Sequence, residues 1–168
     1  MDQIKNNTMK TLVIYYSLDG NTEHLANSMA TVAEADLQEV KLKKNITKGI
    51  FKYFFALKQM IFDKKPDIIP FEKNIADYDM LVIGTPVWGS NFVPAINSFF
   101  NQIDIANKKI ALYACFGSSI GNCCENMENI LKEKNQIIGQ KGFKNPLKNS
   151  NVSKKEAEIW IKDMLARC

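Results

Sequence analysis

Tyr15-Tyr16-Ser17-Leu18-Asp19-Gly20-Asn21-Thr22 joins two segments of different period. Before it runs Leu12-Val13-Ile14, apolar on consecutive positions, as a strand covered on both faces requires. After it, Leu25, Met29 and Val32 recur at helical spacing within Asn21 to Ala35. A buried strand, a short turn rich in hydroxyl and amide groups, then a helix start: this order turns backbone N–H groups toward an anion. Gly20 permits the tight backbone path. Ser17, Asn21 and Thr22 add neutral side-chain donors suited to a phosphate dianion. The loop has no lysine, and neither G-x-x-x-x-G-K-[ST] nor G-x-G-x-x-G spacing is present. Nucleoside triphosphate hydrolysis and the usual dinucleotide site are therefore poor fits.

Working outward, strand and helix patterns alternate along the chain. Strands are expected at Lys10 to Tyr16, Leu37 to Leu42 (a mixed, edge-like run), Met80 to Gly84, Ile110 to Phe116 and Gln136 to Phe143. Helices are expected at Asn21 to Ala35, Thr47 to Phe62, Val93 to Ile103, Asn122 to Lys134 and Ser153 to Ala166. Ser153 reads as an N-cap, with Glu156 completing a capping box. Such alternation argues for an α/β architecture, a parallel sheet with helices on both faces. Ligands bind at the carboxyl edge of such sheets. Two further loops fall there. Thr85-Pro86-Val87-Trp88-Gly89 offers a large aromatic with no evident core role. Phe116-Gly117-Ser118-Ser119-Ile120-Gly121 offers two glycines where backbone must approach a ligand closely. Phosphate turn, stacking indole and open backbone loop together describe a planar aromatic mononucleotide.

The 168 residues suit one domain, residues 10–168, behind a flexible N-terminal tail at 1–9. A hydrophobic fraction of 46% removes the disordered classes. No apolar run approaches the roughly 18 residues that a membrane span needs, and the N-terminus lacks a signal-peptide pattern, so a cytoplasmic location is expected. Net charge is +4, but the lysines are scattered and Arg167 is the sole arginine, which speaks against nucleic-acid binding. Cys115, Cys123, Cys124 and Cys168 lack zinc-site spacing and read as free thiols, and no metal site is expected. His24, the only histidine, reads as a solvated helix residue.

These three loops in register resemble the flavodoxin-like family, over nearly the whole chain from Lys10 to the final helix. Tyr16 to Thr22 matches that family's phosphate loop, Val82 to Gly89 its second flavin loop and Phe116 to Gly121 its third. The resemblance implies a three-layer α/β/α fold with a five-stranded parallel sheet of order 2-1-3-4-5, and FMN as cofactor. It is similar to the short-chain branch, since no long insertion interrupts the fifth strand. By position, Ser17, Leu18, Asp19, Gly20, Asn21 and Thr22 would surround the phosphate. Thr85, Pro86, Val87, Trp88 and Gly89 would lie along the isoalloxazine, with Trp88 stacked on one face. Phe116, Gly117, Ser118, Ser119 and Gly121 would complete the site. Gly89 matches the glycine whose carbonyl turns toward flavin N5 on reduction.

Two departures from the family pattern bear on function. Asp19 stands where many relatives have Ser or Thr, and is expected to point outward or to bond the loop backbone. The third loop has Ser118 and Ile120 where electron carriers often place a second stacking aromatic. The resemblance implies electron transfer through quinone, semiquinone and hydroquinone states, with redox partner proteins, no catalytic residue, and a monomer or weak dimer. The alternative is an FMN-dependent reductase using NAD(P)H and a small acceptor such as a quinone or flavin. A less covered flavin face favours that alternative; the absence of an NAD(P)H signature does not. A metal-holding receiver domain of the same strand order needs acidic strand ends that this chain lacks.

Overall fold

The run Leu12 to Ile14 lies within β1, Thr11–Tyr15, every residue of which is buried, in a computed structural model that describes residues 9–44 and 65–168. The expected aromatic helix Thr47 to Phe62 and nearly all of the expected tail lie outside the described residues. β1 pairs in parallel with β2 (Asp36–Glu39) on one side and β3 (Met80–Trp88) on the other. β3 pairs with β5 (Lys109–Phe116), and β5 with β6 (Gln136–Lys144), again in parallel. β4 (Asn91–Phe92) is only a short antiparallel partner of β3. With it set aside, the order β2-β1-β3-β5-β6 is the expected 2-1-3-4-5.

Period-two alternation sends the two faces of the sheet into two cores. Leu12 and Ile14 join α2 (Pro94–Gln102) and α3 (Cys123–Leu131) through Ile96, Phe99 and Met127. Val13 and Tyr15 join α1 (Asn21–Ala33) and α4 (Ser150–Ala166) through Leu25, Met29, Trp160 and Ile161. Each such side chain, fully buried, stabilises by about 1.5–3 kcal/mol relative to exposure. The carboxyl ends of β1, β3 and β5 are thereby fixed side by side. Among the described residues, no helix is long and apolar enough to cross a membrane, no acidic, His or Cys cluster could hold a metal, and the four cysteines are free.

Four local expectations are corrected. β3 does not stop at Gly84 but runs through Trp88 into a hairpin, because Gly89 and Ser90 both take positive φ (53° and 65°), as a two-residue type I′ turn requires. The last helix starts at Ser150, not Ser153, because Pro146–Asn149 already forms a 3₁₀ turn that feeds it. Ser153 is consequently buried inside the helix, Glu156 is exposed, and no capping box forms. β2 ends at Glu39; beyond it Leu42 bridges Ile68 instead. His24 is half-buried, with Nε2 3.2 Å from the Ser150 carbonyl, where a solvated residue was expected.

Candidate functional site

Gly20, with φ 81°, is the N-cap of α1, and the first i→i−4 bond of the helix runs from the His24 N–H to the Gly20 carbonyl at 2.9 Å. The N–H groups of Asn21, Thr22 and Glu23 precede any helical acceptor and point out of the helix end. Asn21 and Thr22 line a cleft of about 320 Å³ at that end. Ser17, Leu18, Asp19, Asn21 and Thr22 form one wall of it; Pro86, Val87 and Trp88 form a second. Cys115, Phe116 and Gly117 make a third, and Asn145 with Pro146 a fourth.

The hydroxyl oxygens of Ser17 and Thr22 are the two buried side-chain polar atoms that lack a hydrogen-bond partner among the described residues. An unpaired buried hydroxyl costs about 1–3 kcal/mol, so two of them lining one cleft are donors set aside for what enters it, water or a ligand. The Cys115 thiol beside Thr22 does not serve: burial pushes it up to about 12, the Thr22 hydroxyl offsets this in part, and a thiol is a weak donor. Of the lining residues, Asp19 alone is charged, and it is exposed to solvent. Hydroxyls and helix-end amides with no lysine or arginine are the donor set that a phosphate monoester fits. On the second wall Trp88 presents a half-buried indole, perpendicular to the Tyr16 ring with centroids 6.0 Å apart. Tyr16 itself is buried, and burial raises its phenol pKa further than Glu39 and Asp19 do.

Ten of the residues expected from sequence line the cleft: Ser17, Leu18, Asp19, Asn21, Thr22, Pro86, Val87, Trp88, Phe116 and Gly117. Six sit behind or beside it. Gly20 shapes the turn. Thr85 is fully buried, its hydroxyl donating to the Pro86 carbonyl (2.9 Å) and accepting from Val93 N–H (3.2 Å), which pins α2 to β3. Gly89 tops the hairpin, and Ser118, Ser119 and Gly121 lie on its exposed flank. Gly121, at φ 55°, packs so closely on Ser90 that a Cβ would overlap it, while Ser90 accepts from Asn122 N–H at 3.0 Å. Second and third loops are thus docked on each other.

Sequence reading missed Cys115, Asn145 and Pro146. Asn145 takes positive φ (46°), donates its N–H to the Phe116 carbonyl (2.8 Å), and aims its amide at the Gly117 carbonyl (3.3 Å). Two residues on, Leu147 N–H donates to Asn21 Oδ1 at 3.2 Å. The Asn21 side chain, expected to face an anion, therefore ties a fourth loop to the first. The sole sequence signal was the Asn145-Pro146 pair, a turn former with no partner visible in one dimension.

Comparisons with known proteins agree with this geometry. The chain is similar in structure to a flavoprotein of Bacteroides uniformis, at 25% identity and TM-score 0.75, covering 92% of this chain and 98% of that one. A Bacteroides eggerthii flavoprotein matches at 22% identity and TM-score 0.75, covering 93% and 98%. A Lactobacillus acidophilus flavoprotein, solved in complex with FMN, matches at 22% identity and TM-score 0.67, covering 84% and 97%. The Flavodoxin family model matches residues 10–164. The chain belongs to the flavodoxin family, a family whose cofactor is FMN.

Proposed function

We propose that this protein holds FMN in the cleft between Ser17–Thr22 and Trp88 and passes electrons between partners. The observation that carries this is the pair of orphaned hydroxyls, Ser17 and Thr22, buried beside a helix N-terminus in a cleft that an indole also lines. In this reading Ser17, Thr22 and the N–H groups of Gly20 to Glu23 hold the phosphate. Leu18 and Asp19 shape the loop, Pro86 to Trp88 lie along the ring system, and Phe116, Gly117 and Asn145 close the remaining side. Bound FMN supplies one- and two-electron chemistry; the protein tunes it by stacking, by backbone bonds and by local charge. Neutral phosphate donors leave negative charge in the site, which disfavours an anionic reduced flavin. Partner docking would be brief and steered by charge.

One feature favours a second reading, an NAD(P)H-dependent reductase of small acceptors. Phe116 and Ile120 pack on Gly142 of β6, where a Cβ would overlap both, and Ser118 is exposed. The third loop therefore turns its apolar side chains toward the sheet, and a nicotinamide needs such an open ring face to lie flat. Adding NADH or NADPH to the FMN-loaded protein, and separately titrating it with dithionite, distinguishes the two. The carrier reading expects no bleaching by nicotinamide and a long-lived half-reduced absorbance with dithionite. Rapid bleaching by nicotinamide alone would replace it with the reductase.

A further inference from the structure

Tyr113 is completely buried in β5, and its register partner in β3 is Gly84. A Cβ at Gly84 would fall on the Tyr113 ring, at Cζ, Cε1 and the hydroxyl. Glycine weakens a strand interior, and here it stands in the middle of the sheet, between β1 and β5. What the glycine permits is a path: the Tyr113 ring crosses β3 beneath α1 and its hydroxyl donates to the Thr22 carbonyl at 3.2 Å. Phe143 and Trp160 pack edge-on around the ring, with centroids 6.3 and 6.4 Å away, and hold it in that path. Burial keeps the phenol protonated, well above its ordinary pKa, so it remains a donor.

The Thr22 carbonyl shares a planar peptide with the Glu23 N–H. In a trans peptide the two point in opposite directions. Fixing the carbonyl from below therefore aims the Glu23 N–H out of the helix end, where its neighbours Asn21 and Thr22 line the cleft. A hydrogen bond accepted by the carbonyl also polarises the amide and strengthens its N–H as a donor. We propose that Tyr113 is a positioning residue for the phosphate of FMN, acting through the Thr22–Glu23 peptide, and that Gly84 exists to let it reach. This rests on the FMN reading and adds to it a residue that touches no ligand.

The test compares FMN with riboflavin, which lacks the phosphate, by flavin fluorescence on Tyr113→Phe and the unaltered protein. Loss of one buried, ligand-aligning hydrogen bond is expected to weaken FMN by about three- to tenfold, with riboflavin affinity unchanged. An equal loss for both flavins, or an unchanged ratio, would mark Tyr113 as a packing residue and overturn the inference while leaving the FMN reading intact. If the unaltered protein binds neither flavin, both fall. A second measurement needs no variant: in the amide NMR spectrum, FMN should move Glu23 N–H strongly downfield and riboflavin should not. An unmoved Glu23 on FMN binding counts against the inference.

Discussion

At the end of the cleft proposed to hold the phosphate, bonds reach the first turns of α1 from three other places: the buried Tyr113 to Thr22, the half-buried His24 to Ser150, and, at the surface, Leu147 to Asn21. At the end proposed for the ring system, Trp88 is held by a perpendicular contact with Tyr16 and a two-residue hairpin, and Gly89, Ser90, Ser118 and Ser119 of the second and third loops are exposed. A dianion demands fixed donors, since each misaimed amide forfeits a charge-assisted bond. A ring system that exchanges electrons with another molecule demands access. One end is therefore built into the core and the other onto the surface, and substitutions should separate them.

The largest effect should come from Gly84→Ala. The added methyl meets the Tyr113 ring, which Phe143 and Trp160 prevent from moving aside, and overpacking of this kind costs about 3 kcal/mol at the upper end of its range. Gly117→Ala at the ring end is its control. There a Cβ would lie 3.6 Å from Asn145 Oδ1, an ordinary contact, and the expected change is within about 0.5 kcal/mol. Urea unfolding of both variants checks the contrast; equal midpoints would show that the phosphate end is no more rigid than the ring end.

Thr22→Ala and Trp88→Ala should then split binding by ligand. Removing the Thr22 hydroxyl forfeits a bond to a charged group, about 1.5–3 kcal/mol, or roughly ten- to a hundredfold in FMN affinity. Riboflavin should bind as before, and the flavin-free protein should lose no more than the buried γ-methyl contributes, about 1 kcal/mol, because the oxygen removed has no partner there. Trp88→Ala should instead weaken FMN and riboflavin alike, by about tenfold, since stacking is indifferent to phosphate. Titration of each variant with both flavins gives the four numbers. A Thr22→Ala loss shared by riboflavin would place the hydroxyl against the ring and not the phosphate.

How much of this was legible in one dimension follows the same division. The unbroken apolar run Leu12, Val13, Ile14 and Tyr15, all of it buried, and the Ser17–Thr22 turn after it, are local patterns whose meaning does not depend on distant residues. Trp88 was legible as a residue too large for its loop, yet its hairpin was not, because Gly89-Ser90 is a weaker turn signal than Asn-Gly. Asn145 and Tyr113 were illegible for a different reason. Each acts through a partner far away in sequence, Gly117 and Thr22, and neither stands in a motif of its own. Ser153 misled because Ser-x-x-Glu carries a capping pattern whether or not a 3₁₀ turn has already started the helix.

The smallest effect, and the one that probes the field around the anion, is expected from Glu39→Gln. Glu39 ends β2 beside Ser17 and Leu18 of the loop proposed to hold the phosphate, and its carboxyl pKa is raised by burial, with Lys41 at 3.6 Å working against the shift and Glu23 adding to it. An acid whose folded pKa lies above its unfolded value contributes stability below the unfolded value and loses it as pH rises through the folded one. At pH 7 the charged Glu39 is thus a liability that glutamine removes. The variant should be slightly more stable than the parent at neutral pH, with the gain fading as both are acidified below the carboxylate range. Less negative charge near Glu23 should also tighten FMN but not riboflavin, at low salt and progressively less as salt screens the site. Urea midpoints across pH, with flavin titrations at two ionic strengths, test both halves. If the stability gain persists unchanged into acid, Glu39 acts through packing, and the phosphate end is shaped by its donors alone.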